Sequence, residues 1–235
     1  MTRTDGEGVQ GSRGPIPNEG EGNLGGGRAT VSDSGEIERF SFVERMLHWL
    51  SAAGFVYAAI SGLALWTPGF YGLAVLLGGG TLVRSWHPWS GVLFALVLSE
   101  VIRRWAGQMR IDRQDRQWLA GAHRYAMNQE AGLPAAGRFN GGQKMLFWLQ
   151  AVSCLLLLAS GLILWFPEST SQGLRLAAVL IHPIASIVSI FLIIVHIYMG
   201  TLAVPGALRA MLHGKVSRSW AKSHHYRWYR DRSGN

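Results

Sequence analysis

Four long apolar runs dominate the pattern of hydrophobic and polar positions in this chain. Their approximate bounds are residues 46–66, 86–105, 145–166 and 176–200. Each run is close to the ~20 residues that a helix needs to cross the hydrocarbon core of a membrane. The second run contains Glu100, which lies near an end flanked by Arg103 and Arg104, where a charge can reach the headgroups. The pattern predicts four transmembrane helices.

One motif occurs twice, with matched positions 99 residues apart. The copies run from Arg45 to Pro68 and from Lys144 to Pro167, and each contains a Ser-Gly-Leu-x-Leu-Trp segment. A His-Pro pair stands near the start of the apolar run that follows each copy. Such a repeat is typical of two related helical hairpins. The expected fold is an all-α membrane protein, a four-helix bundle made from two repeated hairpins.

The distribution of the basic residues predicts the orientation of the bundle. The formal net charge is +8, yet of the 22 Lys and Arg only Arg84 and Arg175 lie in the connections after the first and third runs. The others lie before the first run, from the end of the second run to the third, or after the fourth. This asymmetry follows the positive-inside rule and predicts cytoplasmic termini. We therefore attribute the basic balance to topology and expect no nucleic-acid partner.

The composition also divides the chain into segments. Residues 1–36 lack an apolar run and are rich in Gly, Ser and acids, which predicts a disordered tail. Residues 37–208 are expected to form the membrane domain, and residues 209–235 a basic cytoplasmic tail. The chain has one cysteine, Cys154, so it cannot ligate an iron–sulfur cluster alone or attach haem through C-x-x-C-H.

Four histidines lie in or at the ends of the predicted helices, where an imidazole needs a partner. With cytoplasmic termini, His87 and His182 lie near the outer face, and His48 and His196 near the inner face. His182 and His196 are 14 residues apart, which puts both rings on one side of a helix, about 21 Å from each other. Imidazole is a suitable axial ligand for haem iron, so two stacked haems are expected, one per pair.

The repeat makes the two levels unequal. The counterpart of His48 in the second half is Phe147, and the counterpart of His196 in the first half is Val101. The outer pair is therefore symmetric. At the inner level the repeat relates His48 and His196 to Phe147 and Val101, and only the first of these two pairs consists of histidines. Other readings remain open, namely histidines that bond a carbonyl, or a membrane anchor or transporter with histidine proton relays.

The chain resembles the cytochrome b (gamma) subunit of membrane-bound formate dehydrogenase, from about Arg39 to Arg230. The resemblance is carried by Glu44-Arg45-x-x-His48-Trp49, by Asn140-Gly-Gly-Gln143-Lys144, by His196-Ile-Tyr198-Met, and by Trp220-Ala-Lys-Ser-His224-His225. A dihaem b subunit of a hydrogenase or thiosulfate-reductase type complex is the alternative.

This resemblance implies a bacterial inner-membrane, multi-pass subunit with two non-covalent b haems, bound through His87 with His182 and through His48 with His196. It implies an iron–sulfur beta subunit on the periplasmic side as electron donor and, through it, a molybdenum or tungsten alpha subunit that oxidises formate. No formate-oxidising residues are expected in this chain. The resemblance also implies a menaquinone or ubiquinone at Asn140 and Gln143, near the cytoplasmic face. A carbonyl that gains electrons needs amide or hydroxyl donors, although Asn140 is also well placed to cap the third helix.

Overall fold

The computed structural model describes residues 35–127 and 132–234, which form mainly α-helices. The predicted disorder of the N-terminal tail falls on residues 1–34, outside the described residues, whereas Glu36 lies in a strand. The helices are α1 Phe42–Trp66, α2 Tyr71–Leu76, α3 Gly80–Trp105, α4 Arg113–Ala120, α5 Ala122–Ala126, α6 Gly141–Trp165, α7 Gln172–Tyr198, α8 Ala207–His213, α9 Arg218–His224 and α10 Tyr226–Ser233. The 3₁₀ turns Pro68–Phe70 and Pro167–Ser169 follow α1 and α6, and the π-helical turn Met199–Ala203 extends α7.

Three of the described helices are long and apolar enough to cross a membrane. They are α1, α6, and α7 with its π-helical extension, Gln172–Ala203. Helix α3 has 26 residues but is less apolar, because it includes several Ser and Gly residues and the charged end around Glu100. The Glu100 carboxylate accepts hydrogen bonds from Arg103 at 2.7 Å and Arg104 at 2.6 Å. The sequence predicted four spans, and length with composition identifies three.

The long helices pack as two hairpins, as the repeat predicts. Helix α1 packs along α3, α6 packs along α7, and contacts between α3 and α6 join the hairpins. The first connection holds α2 and then reverses through Gly78 and Gly79, whose φ angles of 91° and 104° favour residues without a Cβ. Both hairpins therefore begin and end at the same end of the bundle.

The repeat extends further toward the N-terminus than the motif shows, because the two hairpins start in the same way. Ser41 and Glu44 form a capping box at the start of α1, and Asn140 and Gln143 form one at the start of α6. Each box satisfies free backbone N–H groups of the first turn. Just before the boxes, the guanidinium of Arg39 donates to the carbonyl of Arg138, and Arg138 donates to that of Arg39, both at 2.8 Å.

A small sheet that the sequence did not predict accompanies the helices. Strand β1, Glu36–Glu38, pairs antiparallel with β2, Lys215–Ser217, with Ile37 opposite Val216. The pairing joins the segment before α1 to the segment after α8, so it depends on contacts that a local sequence pattern does not contain.

The C-terminal residues, expected as a separate basic tail, are folded onto the end of the bundle. Val216, Ala221 and Trp228 are buried in one hydrophobic cluster with Val101 and Trp105 of α3. The described part of 209–235 is therefore continuous with the helical domain. The Lys and Arg residues of this segment lie on the surface of the packed layer. Because they dominate the composition of the segment, its charge does not reveal the apolar positions that pack.

His225 anchors this layer and is only 1% exposed. Its Nδ1 lies 2.7 Å from the carbonyl of Gly137, which only accepts, so Nδ1–H donates and Nε2 accepts from the Arg39 guanidinium at 2.9 Å. Burial, and then the charge of Arg39, holds the pKa of His225 well below its usual range, with His224 acting in the same direction. His225 is neutral in the folded chain.

We expect the fold to lose stability as the pH falls below about 6.5, the ordinary pKa of histidine. Below that value the unfolded chain binds a proton at residue 225 and the folded chain does not, so the loss approaches ~1.4 kcal/mol per pH unit. Thermal unfolding of the detergent-solubilised protein between about pH 8 and about pH 5.5 measures this loss.

His225→Gln, which keeps one donor and one acceptor, should flatten the pH dependence. The exposed His213 provides the matched control, so His213→Gln should leave the dependence unchanged. If thermal stability falls equally steeply with pH in both variants, a group other than His225 binds the proton.

Candidate haem and quinone sites

The structure brings the four predicted histidines together in two pairs. His87 on α3 and His182 on α7 have ring centroids 6.2 Å apart. His48 on α1 and His196 on α7 have ring centroids 5.9 Å apart. A metal–imidazole bond is about 2 Å long, so each separation leaves room for one metal ion between two ring nitrogens. The residues that share a level by sequence are therefore also neighbours in space.

Two serines fix the orientation of the outer rings. Ser61 Oγ lies 2.9 Å from Nδ1 of His87, and Ser160 Oγ lies 3.0 Å from Nδ1 of His182. Each hydroxyl donates its hydrogen to a carbonyl one turn earlier, Tyr57 at 2.7 Å and Leu156 at 2.6 Å. The serine oxygens therefore accept from Nδ1–H.

This hydrogen bonding decides the tautomer of the outer rings. A neutral imidazole carries one hydrogen, so with Nδ1 protonated the lone pair is on Nε2. Nε2 is thereby available to bind a metal in both His87 and His182. Histidines that ligate metals commonly donate their other N–H in this way, which holds the ring and increases its basicity.

The glycine after each serine gives the ring its space. A Cβ at Gly62 would lie 3.1 Å from Cε1 of His87, and a Cβ at Gly161 would lie 3.2 Å from Cε1 of His182. Both distances are too short for an ordinary contact, so a side chain there would push the ring away. The repeated Ser-Gly pair is thus a cradle for one imidazole in each hairpin. Sequence reasoning used Ser-Gly as a marker of the repeat and missed this role.

The inner pair lacks such a cradle. His48 Nδ1 is buried and, among the described residues, makes no hydrogen bond, while the ring contacts the edge of Trp49 at 5.1 Å between centroids. His196 is exposed in the protein alone. Both rings lie near the end of the bundle that carries the folded C-terminal layer, since Trp49 Nε1 donates to the carbonyl of Met211 in α8.

The positions that replace histidine in the repeat are apolar and filled. Val101 is buried, and Phe147 packs against the same hydrophobic cluster. The two levels are separated by a layer in which Phe55, Phe94 and Cys154 are buried. The bundle therefore has two positions with paired histidines. The repeat would allow a third at Val101 and Phe147, where hydrophobic packing fills the space instead.

The donors of both pairs fit a b-type haem, because each pair offers two imidazoles at one level between apolar helices. No cluster of three or more His, Cys, Asp or Glu that could hold a bare metal ion is found in 35–127 or 132–234. The adjacent His224 and His225 are therefore not part of such a cluster.

Asn140 and Gln143 both serve the cap of α6. Asn140 Oδ1 accepts from the Gln143 backbone N–H at 2.9 Å, and Gln143 Oε1 accepts from that of Asn140 at 3.0 Å. The capping role anticipated for Asn140 is therefore present. It uses only the oxygens, and neither amide NH₂ group donates a hydrogen bond to another described residue. Gln143 is exposed and Asn140 is 3% exposed.

A buried ion pair holds this region of α6. Lys144 Nζ lies 2.6 Å from Asp115 of α4, with each side chain 6% exposed, and also donates to the carbonyl of Arg110 at 3.1 Å. Asp112 and Asp115 form a capping box at the start of α4. Loss of one partner of such a pair is costly, so α4 is tied firmly to the first turn of α6. The pair thereby positions both amides.

Comparison with known proteins identifies the family. The family model of prokaryotic cytochrome b561 matches residues 39–214. The cytochrome b556(fdo) subunit of formate dehydrogenase from Escherichia coli (strain K12) is 38% identical over 199 residues, 83% of this chain and 92% of the relative. The nitrate-inducible cytochrome b556(Fdn) subunit of the same strain is 34% identical over 205 residues, 86% of this chain and 94% of the relative.

A third relative is more distant. The cytochrome b556 subunit of formate dehydrogenase from Haemophilus influenzae is 30% identical over 204 residues, 86% of this chain and 85% of the relative. The matched region contains both histidine pairs and both cradles. The chain therefore belongs to the prokaryotic cytochrome b561 family, among the cytochrome b subunits of formate dehydrogenase.

Proposed function

We propose that this chain carries electrons from a periplasmic iron–sulfur partner to a membrane quinone, through two b haems, as part of formate dehydrogenase. The observation that carries the proposal is the pairing of four histidines at two levels, with centroids 6.2 Å and 5.9 Å apart. The names of the relatives support the assignment to formate dehydrogenase.

The proposed topology has four spans, with α3 as the second. Helix α3 is long enough, since 26 residues extend about 39 Å. It also has an exposed apolar stripe, and Trp86, Trp89, Leu93 and Leu96 are all more than half exposed. Such a stripe suits lipid or a partner helix. With four spans, the N-terminus of α1 and the C-terminus of α7 lie on the same side of the membrane. The basic residues that flank these two ends favour the cytoplasmic side.

The chain holds and orients the two haems. His87 and His182 would hold the outer one, and His48 and His196 would hold the inner one. When bound, each haem supplies an iron that gains and loses one electron. The serine of each cradle keeps the outer Nε2 atoms free to bind, and the layer of Phe55, Phe94 and Cys154 keeps water out between the levels.

The quinone is proposed to bind at the start of α6, where Asn140 and Gln143 offer amide NH₂ groups. A carbonyl oxygen that gains electrons becomes negatively charged, and aligned donors stabilise it. The amides deliver no net proton, so the two protons of quinone reduction come from cytoplasmic water. The proposed partners are the iron–sulfur beta subunit and, through it, the molybdenum or tungsten alpha subunit that oxidises formate. Membrane lipid surrounds the bundle.

We expect each histidine pair to hold its own haem. His87→Ala or His182→Ala should lower the haem b content from two to one per chain with loss of the outer haem. His48→Ala or His196→Ala should remove the inner haem instead. Pyridine haemochromogen spectra and redox titration of the purified protein measure both effects.

The control is His213→Ala, which changes an exposed histidine outside both pairs. Loss of different haems on mutating two members of one pair would refute the pairing. Folded wild-type protein without haem would instead support a membrane anchor or a proton relay.

We expect Ser61→Ala and Ser160→Ala to raise the midpoint potential of the outer haem alone. Without the hydroxyl acceptor, the imidazole is a less basic ligand and stabilises ferric iron less. Redox titration resolves the outer from the inner haem. Ser85→Ala is the matched control on α3, because its hydroxyl donates only to the carbonyl of Thr81. An equal shift in this control would assign the effect to helix packing.

Capping and quinone binding can be separated at Asn140 and Gln143. Asn140→Asp and Gln143→Glu keep the capping oxygens but remove the NH₂ donors, so haem content and thermal stability should be retained. Quinone reduction should fall by a factor of ~10² in each, the usual cost of losing one aligned donor. Reoxidation of the reduced haems by quinone, followed by absorbance, measures the rate. Unchanged rates in both variants would exclude the amides from the quinone site.

A further inference from the structure

A cavity of about 410 Å³ lies where the N-terminus of α1 meets the C-terminus of α3. Four arginines line it, Arg39, Arg104, Arg138 and Arg232, and the acids among its lining residues are Glu38 and Glu44. Arg104 pairs with Glu100 outside the wall and Arg138 with Glu44, which leaves Arg39 and Arg232 against Glu38 alone. The wall therefore carries an excess of positive charge. None of these arginines belongs to the haem or quinone sites.

Glu44 is already engaged by neighbours and compensates only one arginine. Its carboxylate accepts from Arg138 Nη2 at 2.8 Å, from Trp105 Nε1 at 2.8 Å and from the Ser41 backbone N–H at 2.8 Å. Arg138 is thereby paired. Arg39 forms no ion pair with a described carboxylate.

Arg39 is a buried cation without a carboxylate partner in 35–127 or 132–234. It is 3% exposed, and its Nη2 donates to the Arg138 carbonyl and to His225, both neutral acceptors. Its Nη1 is buried and, within the described part of the chain, has no hydrogen-bond partner, as is also true of Arg138 Nε. Burial and the neighbouring Arg138 lower the pKa of Arg39 to about 9. A buried charge without a counter-ion is costly, and an anion in the cavity would relieve that cost.

The guanidinium of Arg39 is nevertheless held in place. It lies over the rings of Trp220 at 5.0 Å, Trp228 at 5.2 Å and Phe40 at 5.3 Å. Its Nη1 donors, which have no partner among the described residues, are therefore preorganised, and a guanidinium held in a fixed position is well suited to donate to phosphate oxygens. The cavity is larger than a single phosphate requires.

We propose that this cavity binds a phosphate group, supplied by the headgroup of an anionic phospholipid. Ser41 and Glu44 of the cavity wall stand at the start of α1. The neighbouring Phe42, Val43 and Met46 are 67%, 46% and 53% exposed, an apolar surface along which acyl chains could lie. Basic pockets at the cytoplasmic ends of membrane helices are typical sites for such headgroups. The choice of lipid as the source rests on the proposed topology, which puts this end of the bundle at the inner leaflet.

The test compares neighbouring arginines in the full chain. Arg104→Gln and Arg232→Gln change the cavity wall, and Arg103→Gln and Arg230→Gln change the adjacent exposed arginines outside it. These four side chains are not deeply buried, so folding should survive, whereas Arg39→Gln removes a packed group. Two probes are used, nanodiscs of phosphatidylglycerol against phosphatidylcholine with bound lipid counted by native mass spectrometry, and inorganic phosphate followed by phosphorus NMR.

We expect phosphatidylglycerol to remain bound to the wild-type chain and to both control variants. Retention should fall several-fold in Arg104→Gln and Arg232→Gln. Binding of inorganic phosphate that depends on the same arginines, without lipid retention, would support the phosphate site and overturn the lipid as its source. Equal retention in cavity and control variants, with no phosphate binding, would overturn the site itself.

Haem content is measured on the same samples. The cavity variants should keep the wild-type number of haems, because they touch neither histidine pair. A chain without haem that still retained the lipid would refute the proposed function and leave the phosphate site standing. A chain that contains haem but shows no arginine-dependent binding would overturn the phosphate site and leave the proposed function standing.

Discussion

The outer level of this bundle depends on one interaction, the hydrogen bond that a serine hydroxyl accepts from the Nδ1–H of each buried imidazole. At the outer level the chain supplies one partner itself, through the hydroxyls of Ser61 and Ser160. Those hydroxyls are in turn fixed by backbone carbonyls, so the direction of every hydrogen bond is determined. The remaining nitrogen of each ring is left for a ligand between the helices, which is the position that a haem iron requires.

Duplication explains both the symmetry of the outer level and the asymmetry of the inner one. Two copies of a Ser-Gly cradle give two equivalent imidazoles that meet across the bundle. At the inner level one hairpin contributes His48 and the other His196, while Phe147 and Val101 stand at the related positions and pack in the hydrophobic cluster. Apolar side chains need no hydrogen-bond partner, so Phe147 and Val101 fill this position by hydrophobic packing.

The sequence predicted the features that depend on periodicity and failed on those that depend on distant contacts. The apolar runs end within two residues of the ends of the four long helices, whereas the helices begin four to six residues before the runs. The histidine levels follow from the runs and from the 14-residue spacing of His182 and His196, and the rings lie in the expected pairs. The reciprocal bonds between Arg39 and Arg138 had a signal, since the two residues are 99 apart like the rest of the repeat. Strand β1 had none, and His225 stood only in the motif that ends the resemblance, with no indication that it is buried, because short polar segments acquire their structure from their neighbours.

In the proposed quinone site, Asn140 would bind a ligand while it caps α6. A side-chain amide has an acceptor and a donor end, and capping uses only the acceptor. Asn140 Oδ1 accepts from the Gln143 backbone N–H, so the NH₂ group of Asn140 points away from the cap. Gln143 Oε1 likewise accepts from the Asn140 backbone N–H, so the NH₂ group of Gln143 also points away from the cap. Capping therefore does not compete with donation to a quinone carbonyl. It fixes the donors on a helix start that the buried Lys144–Asp115 pair already holds, so the cost of ordering them is met when the chain folds.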